Sequence, residues 1–450
     1  MSVAMDEKKY QDIVDMGIKL TGEKDCERLM NLLMDKGMEI TGCDGALMYL
    51  YEDGELHFHA IKILSLNICI AENNSNNVEK YDSIRGYDTQ SIMVVPLENN
   101  DNDIIGVLQL MNAMDEDGSV IPFQPEFEKV MFSLAAQSAI TISNIRYVQE
   151  LKELLYSFVE AMGTAVDQRT PYNGNHTRKV TKYADKFVDY LNECYENGDY
   201  EEVFHPNRKE QLVMAAALHD IGKLVTPRSV MNKSTRLANQ MDKVTDRMEL
   251  LSAYLKIDYL EHRIEKNKYI EEKEYLKTVK ELVQRVNTME SLDESSETKI
   301  KQLAQRGYEK LDGTLIPYLE KEEIEALLIK KGTLTAEERR VMENHVSMTS
   351  RILEEIHFSH SYRNVARWAG SHHELLDGTG YPTHLIKEQI PTEIRILTML
   401  DIYDALTSDD RPYKEAISVK EAIKVLEKMA EEGKLDGQLV TLFSRYLLSA

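Results

Sequence analysis

Seven side chains in this sequence have the type and spacing to hold metal ions: His176, His219, Asp220, His345, His372, His373 and Asp401. Five imidazoles and two carboxylates are more donors than one ion needs. Four of them come as adjacent pairs, His219-Asp220 and His372-His373. Neighbours on a helix diverge by about 100° around its axis. The members of a pair therefore cannot share one bond direction, but they can reach two sides of one polar pocket, which suits two ions a few ångströms apart. Burying an unpartnered carboxylate is expensive, and coordination is one remedy. Nitrogen and oxygen donors without thiolate fit iron or manganese and leave zinc and nickel open. A two-metal site activates water and polarises phosphoryl oxygens, and a phosphodiester is the substrate class that needs both. Taken alone, a His-Asp pair also reads as a hydrogen-bonded core pair or a solvated helix end. The joint pattern is what points to metal.

Helices must position these groups. The run Leu212 to Leu218 is apolar, rich in helix formers and free of Gly and Pro, and it delivers His219 and Asp220 where it stops, with Gly222 just beyond. His176 follows a polar loop containing Pro171 and Gly174, at a helix start. Thr335 is a candidate N-cap for the helix that carries His345. The block Ser371 to Pro382 holds His372 and His373 and closes on Gly378-Thr379-Gly380-Tyr381-Pro382, a tight loop in which Tyr381 either stacks near a base, shapes the entrance or simply packs. Glu374 is expected to support a histidine and not to ligate. Asp401 precedes Arg411 and Lys414, which with Lys223 are the cations placed to hold phosphate.

Between these blocks, residues 236–331 are highly charged and nearly free of Gly and Pro. Leu237, Met241, Val244, Met248, Leu251 and Leu255 keep the 4-3-4-3-4 spacing of a coiled-coil seam, resumed by Leu276, Val279, Val283 and Val286. Leu292 to Ser296 reads as a turn, and Ile300, Leu303 and Leu311 as a shorter returning helix. This is a helical excursion, its charges mostly solvated faces, inserted between motifs that belong together.

Residues 1–145 read as an α+β unit: a helix over Leu29–Ile40, strands at 46–51 and 55–61 around Glu52-Asp53-Gly54, strands at 91–97 and 104–110, then an apolar helix from Phe127 to Ile145. His57 and His59 alternate and so share a strand face, which is either solvated or able to hold a metal or haem. Residues 146–163 continue as a linker helix whose apolar spacing suggests pairing with its copy in a homodimer.

At 450 residues the chain is too long for one core. No apolar run spans a bilayer, the N-terminus has no signal-peptide pattern, and four scattered cysteines give no disulfide frame, so a cytoplasmic protein without a membrane partner is expected. A net charge of −23 argues against a nucleic-acid polymer as partner, but not against a phosphate pocket lined by cations or metals.

With these residues in view, "MVVPLENNDNDIIGVLQLMNA" and its flanks resemble a GAF sensor domain over about residues 20–145. The cyclic-nucleotide signature of such domains is not intact, because Ala113 follows Asn112 and no Asp-Glu pair follows Phe123. The ligand of this domain is therefore an unknown small molecule. The blocks "LHDIGK", "SHHELLDGTGYP" and "LDIYDAL", in this order, resemble the HD-GYP branch of the HD phosphohydrolases over residues 160–235 and 332–430. That resemblance implies that Asp220 bridges two divalent ions, with His219, Asp401 and His176 on one and His345, His372 and His373 on the other. It also implies that Asp220 and Lys223 act in catalysis, and that Lys223, Gly380, Tyr381, Pro382, Arg411 and Lys414 bind substrate. Two departures stand out: Tyr172 replaces a glutamate that in some members holds a third metal, so two ions are expected, and Asp409-Asp410 lengthens the step to Arg411 by one residue. The expected architecture is multidomain: an α+β GAF domain (1–145), a linker helix (146–163) and an all-α HD/HD-GYP domain (164–450) interrupted by a long coiled-coil-like insertion (236–331). The implied activity is hydrolysis of a cyclic dinucleotide, chiefly cyclic di-GMP to linear pGpG or GMP, under control of the GAF domain. The alternatives are a related phosphohydrolase acting on another nucleotide such as cyclic GMP-AMP, and a non-catalytic cyclic-dinucleotide receptor.

Overall fold

The computed structural model describes residues 7–52, 54–71, 87–169, 175–310, 313–408 and 416–449. The chain divides into two compact units, Met1–Leu155 and Tyr156–Ala450.

The first unit is built on an antiparallel sheet of β1 (Cys43–Glu52), β2 (Glu55–Ile63), β3 (Ile68–Ala71), β4 (Ile92–Glu98) and β5 (Ile104–Met114), in the order β3-β2-β1-β5-β4, with the short β6 (Val120–Ile121) on β5. Helix α1 spans Glu7–Gly22, and α2 spans Cys26–Thr41. The Asp25 carboxylate caps α2 by accepting from the Arg28 N–H at 2.8 Å, which satisfies one of the donors a helix start leaves open. Leu29, Leu33 and Met34 of α2 pack with Val95, Leu97, Leu108 and Leu110 of the sheet. Met131, Leu134 and Ala135 complete that core from α3, a single helix over Pro125–Asp167 that takes in both stretches read separately from the sequence. The expected strands are present, β1, β2 and β5 longer than expected and β4 shifted by one residue, whereas α1, β3 and β6 are additions. Met48 pairs with Ala60 and Tyr49 with Phe58, so β2 bulges at His59. The bulge interrupts the strict alternation that would put His57 and His59 on one face.

The second unit is helical: α4 (His176–Glu196), α5 (Pro206–Leu218), a 3-10 turn at Ile221–Val225 and α6 (Arg228–Met231) precede the insertion. Inside it, α7 (Gln240–Leu260) and α8 (Lys266–Thr288) form a hairpin whose buried faces are the predicted seam, with Leu237 lying just ahead of the helix. The supposed turn at 292–296 is instead a helix start. Asp293 caps α9 (Glu294–Leu303), and Asp and Ser serve caps and turns alike. Beyond Leu303 the chain forms a small ribbon, β7 (Gly307–Glu309) with β8 (Leu315–Pro317), then α10 (Lys321–Leu327). Leu311 lies outside the described residues. The root of the insertion is clasped by Arg236, fully buried, whose guanidinium donates to the carbonyls of Val286, Met289 and Ile329. After the insertion come α11 (Ala336–Glu354), α12 (Val365–Ala369), α13 (Thr392–Thr407), α14 (Val419–Glu431) and α15 (Gly437–Ser449). Thr335 and Glu338 form a reciprocal capping box on α11.

Candidate metal centre

All seven expected ligands converge within the second unit, each delivered at or near a helix end or on a buried helix face. His176 is the first residue of α4. His219 and Asp220 follow α5, His372 and His373 follow α12, and His345 and Asp401 lie on the buried faces of α11 and α13. The Asp220 carboxylate sits between two histidine sets. Its Oδ2 is 3.5 Å from His176 Nε2 and 3.4 Å from His219 Nε2, while Oδ1 is 3.4 Å from His345 Nε2 and 3.8 Å from His372 Nε2. Asp401 Oδ1 lies 3.1 Å from His176 Nε2 and 3.8 Å from His219 Nε2, and its Oδ2 is 3.6 Å from His373 Nδ1. Among the described residues, three donor groups have ligand atoms within 4.8 Å of one another: His176, His219 and Asp401; His345, His372 and His373; and His219, Asp220 and His372.

The backbone dictates which nitrogen faces inward. His219, His345 and His372 each turn Nδ1 to the carbonyl three residues back, Ala216, Met342 and Ala369 respectively, at 2.7 Å in every case. An N–H spent on a carbonyl leaves the Nε2 lone pair for the pocket. Asp220 Oδ1, His345 Nε2 and His372 Nε2 are buried with no hydrogen-bond partner. Native proteins rarely leave several buried polar atoms unsatisfied in one place, and divalent cations are what such acceptors fit. These residues could hold metal, and their chemistry suits it.

Charge follows the same plan. Burial, reinforced by the neighbouring His373 and His219, holds His372 well below the ordinary imidazole range, and burial pushes His373 down to about 4. Burial works against ionisation of Asp220 and Asp401, yet Lys223 and His219 hold the first, and His176 and His373 the second, well below the carboxylate range. Burial also opposes a charged His176, but hydrogen bonds to Asp220, Asp401 and Asp404 outweigh it and raise this imidazole well above its usual value. Neutral imidazoles and ionised carboxylates are the forms that bind metal, so His372, His373, Asp220 and Asp401 are ready for it, whereas His176 has to give up a proton.

Close approach of backbones builds the pocket. A Cβ on Gly222 would lie 1.9 Å from the His345 carbonyl oxygen, so the 3-10 turn can press against α11 only with glycine there. Gly222 is thus needed for contact with α11, not as a helix C-cap. Thr349 braces the same contact: its hydroxyl donates to the His219 carbonyl at 2.9 Å and accepts from the Gly222 N–H at 3.0 Å. A Cβ on Gly380 would likewise collide with the backbone of His373, Glu374 and Leu375.

Lys223 is paired through Nζ with Asp220 Oδ2. Tyr381 stands beside His373, ring centroids 4.9 Å apart, and is followed by a cis Pro382. Glu374 departs from expectation: its carboxylate accepts from the N–H groups of Thr383 at 2.6 Å and Leu385 at 2.8 Å, so it holds the glycine loop and not a histidine. Asp404 went unread in the sequence. It is buried and accepts from His176 Nδ1 at 2.6 Å. Its spacing of three from Asp401 on α13, which places both acids on one face, was the available clue. Tyr172, Arg411 and Lys414 lie outside the described residues, and His57 and His59 belong to no donor group among the described residues.

Comparison with known proteins finds likenesses for both units of the chain. Residues 25–142 match the GAF domain, and residues 173–312 and 321–439 match the HD domain. A stretch of 103 residues is 39% identical to 3'3'-cGAMP-specific phosphodiesterase 3 of Vibrio cholerae serotype O1, covering 23% of this chain and 22% of that protein. Another, of 121 residues, is 36% identical to 3'3'-cGAMP-specific phosphodiesterase 1 of the same organism, covering 27% of each. A third, of 114 residues, is 40% identical to the cyclic di-GMP phosphodiesterase response regulator RpfG of Xanthomonas campestris pv. campestris, covering 25% of this chain and 28% of that protein. The matches span about a quarter of the length of these relatives.

Proposed function

We propose that this chain, which joins a GAF domain to an HD domain and has cyclic di-GMP and 3'3'-cGAMP phosphodiesterases of the HD-GYP type among its relatives, is itself a metal-dependent cyclic-dinucleotide phosphodiesterase. The observation that carries the reading is Asp220, one oxygen facing His176 and His219 and the other facing His345 and His372, whose Nε2 atoms are buried without a hydrogen-bond partner. Two divalent ions, iron or manganese by donor chemistry, would be held by His176, His219 and Asp401 on one side and His345, His372 and His373 on the other, with Asp220 between. Bound there, they supply the Lewis acidity and the activated water that phosphodiester hydrolysis needs.

The chain's own groups do the rest. Lys223 fixes Asp220 with one of its three ammonium protons and keeps the others for a substrate phosphate. Tyr381, lying along His373 on the loop held by Glu374, offers its ring to a base at the pocket edge. Arg411 and Lys414 are assigned to the second phosphate on sequence alone. Cyclic di-GMP is the first substrate proposed, with linear pGpG or GMP as product. 3'3'-cGAMP is the second, favoured by two of the relatives being 3'3'-cGAMP-specific phosphodiesterases. Control through the GAF domain and a homodimer through α3 belong to the same reading. Tyr147, Val148, Leu151 and Leu154 form an exposed apolar row on that helix, which supports pairing with a second copy.

The test is incubation of metal-loaded protein with each cyclic dinucleotide, products being resolved by chromatography. A linear dinucleotide or mononucleotide is expected. Tight binding without turnover would convert the reading into a receptor, and neither binding nor turnover would end it.

A further inference from the structure

Helix α3 ends on the proposed metal centre. A Cβ on Gly163 would lie 3.0 Å from Thr177 Cγ2 and 3.5 Å from the Ala217 carbonyl oxygen. Thr177 is the residue after His176, and Ala217 stands two before His219. Asp167, the last residue of α3, is buried and accepts a hydrogen bond from the Thr177 hydroxyl at 2.8 Å. Arg169, just past the helix, donates from Nη2 to the carbonyl of Thr226 at 3.2 Å, and Thr226 closes the 3-10 turn that Asp220 opens. One helix end therefore touches the segments that carry His176, His219 and Asp220. A cavity of about 740 Å³ lies alongside, lined by Tyr156, Gly163, Asp167, Thr177, Lys182 and Met214 among others. The close approach at Gly163 brings α3 against α4, and beside that open space the Asp167–Thr177 hydrogen bond is what ties the last turn of α3 to the start of α4.

We infer that Asp167 is a positioning residue: through Thr177 it sets where α4 presents His176, and the last turn of α3 is thereby a lever on one half of the metal centre. The inference rests on the metal centre proposed above. His176 and Thr177 are consecutive, so any shift of the Thr177 backbone carries the His176 Cα with it. The Asp404 bond orients the ring but does not fix the start of α4. A carboxylate acceptor makes the Thr177 tether one of the stronger kinds of hydrogen bond. His345, His372 and His373 have no part in it, so the effect falls on one ion site and spares the other.

The experiment uses full-length, metal-free protein titrated with manganese(II) by calorimetry, with thermal melting of the same metal-free samples in parallel. Thr177→Val removes the hydroxyl and keeps the shape, Thr177→Ser keeps the hydroxyl, and Asp167→Ala removes the acceptor. Wild type and Thr177→Ser should bind two ions alike. Thr177→Val and Asp167→Ala should lose on the order of tenfold in affinity at one site and nothing at the other. The Thr177→Val/Asp167→Ala double variant should lose no more than Asp167→Ala, because both changes delete one bond. Equal two-site binding in every variant, or equal weakening of both sites in step with a lowered melting temperature, would overturn the inference alone. A wild-type protein that binds no manganese would sink the metal centre and this inference with it.

Discussion

At the residue scale the centre depends on which nitrogen each imidazole turns inward and on what holds the other. Three rings are oriented by backbone carbonyls and one, His176, by the Asp404 carboxylate. Asp404→Ala should therefore weaken metal binding by about ten- to hundredfold, as loss of a ligand's orienting partner does. Calorimetric titration checks this, and unchanged affinity would count against it. Asp220→Ala should abolish binding of both ions and all turnover, since both histidine sets face that one carboxylate. Protons and metal compete here with a definite sign. His372 and His373 are depressed in the folded protein, so their contribution is full above about pH 6.5, the unfolded value, and drains as the pH falls, that of His373 toward about 4. His176 is raised, so its contribution is full below about pH 6.5 and is lost as the pH rises through its folded value. The metal-free protein should thus be most stable near pH 6.5 by these groups, falling on both sides in denaturant titrations from pH 4 to 9. Saturating metal should remove the alkaline fall, because it displaces the His176 proton.

At the scale of elements the decisive contact is the 3-10 turn against α11. Gly222 lies where any side chain would strike the His345 carbonyl, and the Thr349 hydroxyl joins both elements. Gly222→Ala should cost more than the ~1–3 kcal/mol of ordinary overpacking, because the obstacle is backbone and not a side chain that can turn away. Thr349→Val, which keeps the shape but deserts a buried N–H and a carbonyl, should cost roughly 1–3 kcal/mol. Denaturant unfolding distinguishes the two. A Gly222→Ala protein as stable as wild type would show that the turn does not need this approach.

At the scale of the whole molecule, the chain forms two compact units, and the candidate ligand set belongs to one of them. The apolar cluster from Met16 to Ile142 lies in the first unit, and all seven candidate metal donors lie in the second. Thermal unfolding of metal-loaded protein should show separable transitions, of which a chelator lowers only the one belonging to residues 156–450. Binding to the native state alone stabilises by about 2.7 kcal/mol when free ligand is at a hundredfold its dissociation constant, so the shift should be several degrees. A chelator that moved both transitions equally would contradict this separation.

The sequence by itself named the candidate donors, because ligand chemistry is written in residue type and because His176, His219 and Thr335 stand where helix grammar starts or stops an element. It also showed the seam of α7 and α8, since periodicity survives without tertiary information. The partners that orient the donors had to await the fold. Asp404 meets His176 across 228 positions, Glu374 turns away from the histidines to hold its own loop, and Gly222 answers to a carbonyl on a helix beyond the insertion. Local patterns fix what each segment can offer. Which groups meet is decided by how distant segments pack, and a side chain's neighbours in space leave no mark on its neighbours in sequence.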